Sequence, residues 1–317
     1  MALRGLTVAI LTSGLLGSAA TTAALQQAPA VPPAITFKSG VDLVQVAAVV
    51  RDRHGRFVTG LTARDLQILD DGQPRPIVDF HRDVAGVSVA LLFDVSGSME
   101  SNFTSARETA THVLSWMDPV TDEAAVFTFD TSLAEAAPFS SALRSLPESL
   151  KSVKPFGATS LHDAIARTAE RVAAREGRHR AVVVLTDGND NASRLSAGEV
   201  SAIASAIDVP IYILGVVPQI DNPLDDLSAT GGRSSLAGPL TQLAEWTGGR
   251  VLVVSTPAAR SAAARQIVDE LRHQYLIAFE SSGKAGWHPL VVRARDKDLV
   301  VRARNGYMSG QSRPNSE

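Results

Sequence analysis

VSVALLFDVSGSM (residues 87–99) decides the fold. Its first eight residues are almost unbroken apolar sequence, the composition of a strand buried on both faces of a parallel sheet. The run stops at Asp94, after which Asp94, Ser96 and Ser98 leave the backbone at alternate positions and Gly97 permits a tight turn. Working outward, comparable apolar strands recur at AAVFTFD (124–130), AVVVLTD (181–187), PIYILGVV (210–217) and RVLVV (250–254). Helical spacing fills the gaps. It predicts helices over 103–116, with Ala106, Ala110, Val113 and Leu114 on one face, and over 159–175, with Leu161, Ala164, Ile165, Ala169 and Val172 on one face. Further helices are predicted around 196–207, 238–247 and 259–272. Strands alternating with helices imply an α/β fold, a doubly wound, mostly parallel sheet of Rossmann-like type.

The flanks read as all-β. ITFKSGVDLVQVAAVVRD predicts a half-buried strand closed by a turn at Arg53-His54-Gly55-Arg56, and Asp71-Gly72 between two alternating runs predicts a hairpin. QYLIAFES, WHPLVVRARD and LVVRARNGY return to strand character at the other end. Neither set covers its own apolar face, so the N- and C-terminal strands are expected to pair into one small β module. The organisation that follows is a signal peptide (1–24), linker (25–35), N-terminal β module (36–85), α/β domain (86–256), C-terminal helix and strands (257–308) and tail (309–317).

MALRGLTVAILTSGLLGSAATTAA has the basic start, apolar core and small-residue end of a secretory signal, which predicts a secreted or periplasmic protein. No cysteine follows it, so a lipoprotein anchor is excluded, and no other stretch is apolar enough to span a membrane. Across 317 residues the absence of Cys also removes disulfides, thiol nucleophiles and Cys-ligated metals. A formal charge of only −3 argues against a nucleic-acid binder, which needs a basic surface to neutralise phosphates.

Ligands of a parallel α/β sheet bind beyond the carboxyl ends of its strands. Three such ends carry oxygen donors: Asp94, Ser96 and Ser98 after the first strand, Thr159 in Gly157-Ala158-Thr159 before a helix, and Asp187 closing AVVVLTD. Two carboxylates and three hydroxyls, with no nitrogen or sulfur, suit Mg²⁺, with Mn²⁺ or Ca²⁺ as alternatives. Other signals are weaker. Asp187-Gly188-Asn189-Asp190-Asn191 begins like a calcium loop but has Ala192 and Gly198 where that loop needs Gly and Glu. Ser160, His162 and Asp163 are close in sequence yet face different ways on a helix, which excludes a catalytic relay. The long stretch from Gln219 to Pro239 leaves a strand's carboxyl end and is expected to rim the site.

The D-x-S-x-S run at Asp94–Ser98, the G-x-T-x-L-x-D-A-I run at Gly157–Ile165 and the TDG strand end at Thr186–Gly188 resemble the metal-ion-dependent adhesion site of von Willebrand factor type A (VWA) domains. The resemblance implies that Asp94, Ser96, Ser98, Thr159 and Asp187 ligate the metal, directly or through water, and that an acidic side chain of a protein or peptide partner completes the coordination. The flanking segments GLTARDLQILDDG, QYLIAF and RARNGY look like those of a bacterial group of secreted VWA-related proteins. The expected function is non-enzymatic, metal-bridged binding of an acidic protein ligand outside the cytoplasm. Two alternatives stand beside it: an envelope or assembly subunit in which the metal only stabilises the fold, and a metal-assisted hydrolase, for which Glu100 is the only nearby base.

Overall fold

The computed structural model describes residues 43–82, 86–175, 178–228 and 235–309. The expected signal peptide and linker lie outside these residues, as does the chain beyond Ser309. In chain order the strands are β1 (Leu43–Asp52), β2 (Leu66–Asp70), β3 (Gln73–Arg75), β4 (Ile77–His81), β5 (Val87–Asp94), β6 (Glu123–Phe129), β7 (Leu133–Ser140), β8 (His179–Thr186), β9 (Ile211–Val216), β10 (Arg250–Val254), β11 (Gln274–Glu280), β12 (Gly286–Ala294), β13 (Leu299–Ala303) and β14 (Gly306–Ser309). The helices are α1 (Phe103–Trp116), α2 (Leu161–Ala173), α3 (Ala197–Ala206), α4 (Pro239–Trp246) and α5 (Pro257–Arg272).

A six-stranded sheet in the order β10-β9-β8-β5-β6-β7 forms the centre. All its neighbours pair in parallel except the edge strand β7, which runs antiparallel to β6. Every residue of β5 is buried, as its unbroken apolar run requires. Alternate side chains feed two cores. Val89, Leu91 and Phe93 pack towards α1 and α5, whereas Ala90 and Leu92 pack towards α2, α3 and α4. The helix at 257–272 therefore covers the central sheet, although the sequence reading placed it beyond the domain boundary at 256.

Two further four-stranded sheets, β13-β1-β11-β4 and β14-β12-β2-β3, share a third core of Val46, Ile68, Tyr275, Ile277, Phe279 and Leu290. Strands from the two ends of the chain interleave, as expected: β1 pairs with β11 and β13, and β2 pairs with β12, all antiparallel. The β2–β3 hairpin turns on Asp71 and Gly72 with φ of 51° and 75°, the left-handed pair that a two-residue hairpin needs. The α/β domain is thus inserted into a β-sandwich, and its entry and exit are tied to one buried carboxylate. Asp122 accepts the Val87 amide at Oδ1 (2.9 Å) and the Arg272 guanidinium at Oδ2.

This topology makes the N-terminal strands dependent on the C-terminal ones. Truncation after Arg272 removes both strands that pair with β1, leaving it only the Arg51–Phe57 bridge, and leaves β2 with only the short β3. Amide hydrogen exchange across 43–52 and 66–70 should then rise to near unprotected rates. Retained protection in those strands would refute the pairing.

Candidate functional site

β5 and β8 run in register with Phe93 opposite Leu185, so Asp94 and Thr186 leave the sheet side by side. Thr186 Oγ1 donates to Asp94 Oδ2 at 2.6 Å, and the Ser96 amide donates to Asp94 Oδ1 at 2.9 Å. Ser96 and Ser98 hydroxyls stand 3.2 Å apart. Two backbone bonds lay the 94–98 loop against the segment that carries Thr159: Gly97 N to Gly157 O (3.1 Å) and Phe156 N to Val95 O (2.9 Å). Thr159 is fixed in turn to the segment after β8, its amide donating to Asn191 Oδ1 at 2.8 Å. Asp187 follows Thr186 directly, and its carboxylate accepts from the Asn189 amide (3.2 Å) and side chain (3.0 Å). Three loops that are distant in sequence therefore meet at the carboxyl edge of the sheet.

Asp94, Ser96, Thr159 and Asp187 are buried, while Ser98 is exposed. The donor cluster thus runs from an open rim at Ser98 to a buried floor at Asp94. Burial is the main force on the Asp94 carboxyl and, with the nearby Asp187 charge, pushes its pKa from 3.8 up to about 6, against the hydrogen bonds from Ser96 and Thr186. Among the described residues no Lys, Arg or His is paired with this carboxylate. The donor chemistry, oxygen throughout, fits a hard divalent ion.

The segment after β9 reaches the same edge. Ser235 Oγ donates to the Asp187 carbonyl at 2.9 Å, and buried Leu236 lies against Gly188. Gly188 has φ of +88°, and a Cβ there would meet the Ser235 carbonyl oxygen at 2.9 Å, so any side chain at this position is strained. Residues 229–234 of this stretch lie outside the described residues. Three side chains on the loops of this edge are almost fully exposed: Phe156 (83%), Ile220 (86%) and Leu224 (89%).

The TDG strand end was read for Asp187 as donor; the register also sets Thr186 beside Asp94, where its hydroxyl donates to the carboxylate. His162 forms no relay with Ser160 or Asp163. Its Nδ1 lies 2.9 Å from Asp190 Oδ2, and Asp163 instead accepts the Arg194 and Leu195 amides. Glu100 is exposed and carries no part of the cluster.

The profile of the von Willebrand factor type A domain matches residues 88–247. The chain belongs to the VWA domain family. Solved VWA-type structures resemble this VWA chain at low identity. BatB from Bacteroides thetaiotaomicron is 19% identical, with a TM-score of 0.47 over 58% of this chain and 98% of that one. A von Willebrand factor type A protein from Catenulispora acidiphila is 12% identical, with a TM-score of 0.46 over 87% and 76% of the two chains. Proximal thread matrix protein 1 from the mussel byssus, with a zinc-occupied MIDAS motif, is 19% identical, with a TM-score of 0.44 over 64% and 50%. No curated protein matches in sequence. Among the described residues of this VWA protein no helix is long and apolar enough to cross a membrane.

Proposed function

We propose that this chain captures a protein or peptide partner through a divalent ion held by Asp94, Ser96, Ser98, Thr159 and Asp187. The observation that carries this reading is the buried Asp94 carboxylate, held at the floor of an all-oxygen cluster that opens at Ser98. Mg²⁺ is the ion that such hard donors favour, with Mn²⁺ or Ca²⁺ able to replace it. When bound, the ion would have its formal charge balanced by the two carboxylates while neutral hydroxyls and water fill its other positions, one of which a carboxylate of the partner can take. The exposed Phe156, Ile220 and Leu224 supply apolar area on the same edge, so the favoured partner segment carries an acidic residue flanked by apolar ones. The N-terminal pattern supports action outside the cytoplasm, in the periplasm or as a secreted protein.

A pull-down from cell-envelope extract, run with Mg²⁺ and with EDTA, tests the reading. Capture should require Mg²⁺, and Phe156→Ser should weaken it about tenfold while leaving ion affinity unchanged. If EDTA lowers the melting temperature but capture persists, the ion is only a structural support and the adhesion reading fails.

A further inference from the structure

The β-sandwich holds a second cluster of ligand type, remote in sequence from the VWA site. Asp70 ends β2, Asp71 is the first residue of the hairpin turn, and His288 lies on the adjacent β12, where Asp70 pairs with Leu290 and the Asp71 amide donates to the Pro289 carbonyl at 3.0 Å. His288 Nδ1 lies 3.1 Å from Asp70 Oδ1 and 3.2 Å from Asp71 Oδ2. Asp70 and His288 are buried, while Asp71 is half exposed.

We propose that Asp70, Asp71 and His288 form a divalent-metal site of mixed nitrogen and oxygen donors. The hydrogen bonding of the ring carries the argument. His288 Nε2 lies 2.8 Å from the Lys284 carbonyl, an acceptor only, so this nitrogen bears hydrogen and donates. In the neutral ring that leaves the Nδ1 lone pair, almost wholly buried, aimed at two carboxylate oxygens. A cation must lie between these three acceptors, either a proton on Nδ1 that pairs the ring with both carboxylates or a metal ion in its place. Ligand atoms about 2.1 Å from one ion stand about 3.0–3.4 Å apart across octahedral or tetrahedral angles, a range that includes the two spacings from Nδ1, 3.1 and 3.2 Å. A carbonyl on the far nitrogen of a metal-bound imidazole is the arrangement that fixes its tautomer.

The surroundings hold the donors in place. Arg75 Nε donates to Asp70 Oδ2 at 3.2 Å, which leaves Oδ1 to face the cluster, and the Tyr307 ring stacks on His288 at 4.9 Å. Ser282 Oγ, 3.5 Å from Nδ1, and the solvent side of Asp71 leave room for water or a further ligand. One imidazole and two carboxylates suit Zn²⁺, Co²⁺ or Mn²⁺ better than Mg²⁺, so the two sites of this chain differ in ion preference. Because the ligands join β2 to β12, the ion staples the two ends of a chain that has no cysteine.

The test titrates Co²⁺ into the full chain carrying Asp94→Ala, which silences the VWA site, and follows visible absorption and calorimetry. One Co²⁺ should bind. Affinity should fall about tenfold or more in Asp94→Ala/His288→Gln and in Asp94→Ala/Asp71→Asn. The second variant guards against misfolding, because Asn accepts the left-handed turn conformation that Asp71 adopts at φ of 51°. Equal Co²⁺ binding by all three proteins would overturn the proposal. So would absence of Co²⁺ binding in the Asp94→Ala chain, with His288 seen by NMR to hold a proton on both ring nitrogens; the cation between the carboxylates is then a proton.

Discussion

Asp94→Asn should abolish divalent-ion binding at the VWA site and yet leave the metal-free protein at least as stable as the parent near neutral pH. Both effects come from the same burial. The carboxyl sits at the end of a fully buried strand, and its pKa rises from 3.8 to about 6. A folded-state value above the unfolded one means that the contribution to stability is complete below about 3.8 and disappears as pH rises through about 6. At neutral pH the ionised side chain thus costs the metal-free fold about 3 kcal/mol. Asn removes that charge and retains an acceptor for the Ser96 amide, but it takes away the acceptor that Thr186 uses, a loss of about 1 kcal/mol. The melting temperature of the parent in EDTA should fall relative to the variant between pH 4 and pH 7, roughly the window that these values define. Ion binding should restore the parent alone. Parallel pH profiles for the two proteins would show that Asp94 is not the buried charge that the ion relieves.

Glu270→Ala should produce a large loss of stability. Glu270, on α5, is wholly buried and draws cations from both parts of the molecule. Arg51 of β1 donates to it at 3.0 Å, Arg250 of β10 at 3.4 Å, and Arg302 of β13 also pairs with it. Removing the carboxylate takes the shared partner from three part-exposed guanidiniums; Arg51 keeps the Gly55 carbonyl and Arg302 the Gly248 and Gly249 carbonyls, so the loss falls to about 3 kcal/mol, the low end for breaking a buried pair. For a protein of this size that is a drop of roughly 10 °C in melting temperature. Because Arg51 and Arg302 belong to the sandwich while α5 covers the central sheet, the transition should also broaden or split. A sharp transition within about 2 °C of the parent would mean that the charges at this junction are replaceable by water.

The central strands were legible because burial on both faces leaves an unbroken apolar run, as in VSVALLFD. The donor loops were legible because their residues follow those runs directly. β7 was not: LAEAAPFS contains Pro138 and little alternation, which only an edge strand tolerates. The Asp71-Gly72 pair announced its turn through local chemistry, but nothing local announced that Asp70 would meet a histidine 218 residues later. Glu270 and Arg51, 219 residues apart, were silent for the same reason. Pairing across a whole inserted domain leaves no periodicity to read.

Such pairing also sets an order of assembly. Among the described residues β1 is synthesised before the whole α/β domain and its partners β11 and β13 after it, with Leu43 opposite Glu280. Until they arrive, VQVAAVV is an apolar strand with two unsatisfied edges, the kind that aggregates. The α/β domain, with shorter-range contacts between consecutive strands and helices, is ready to fold before the sandwich closes. The yield of the intact protein therefore depends on how long that first strand is shielded, and a holdase acting on a nascent chain would find its principal client segment at 43–52.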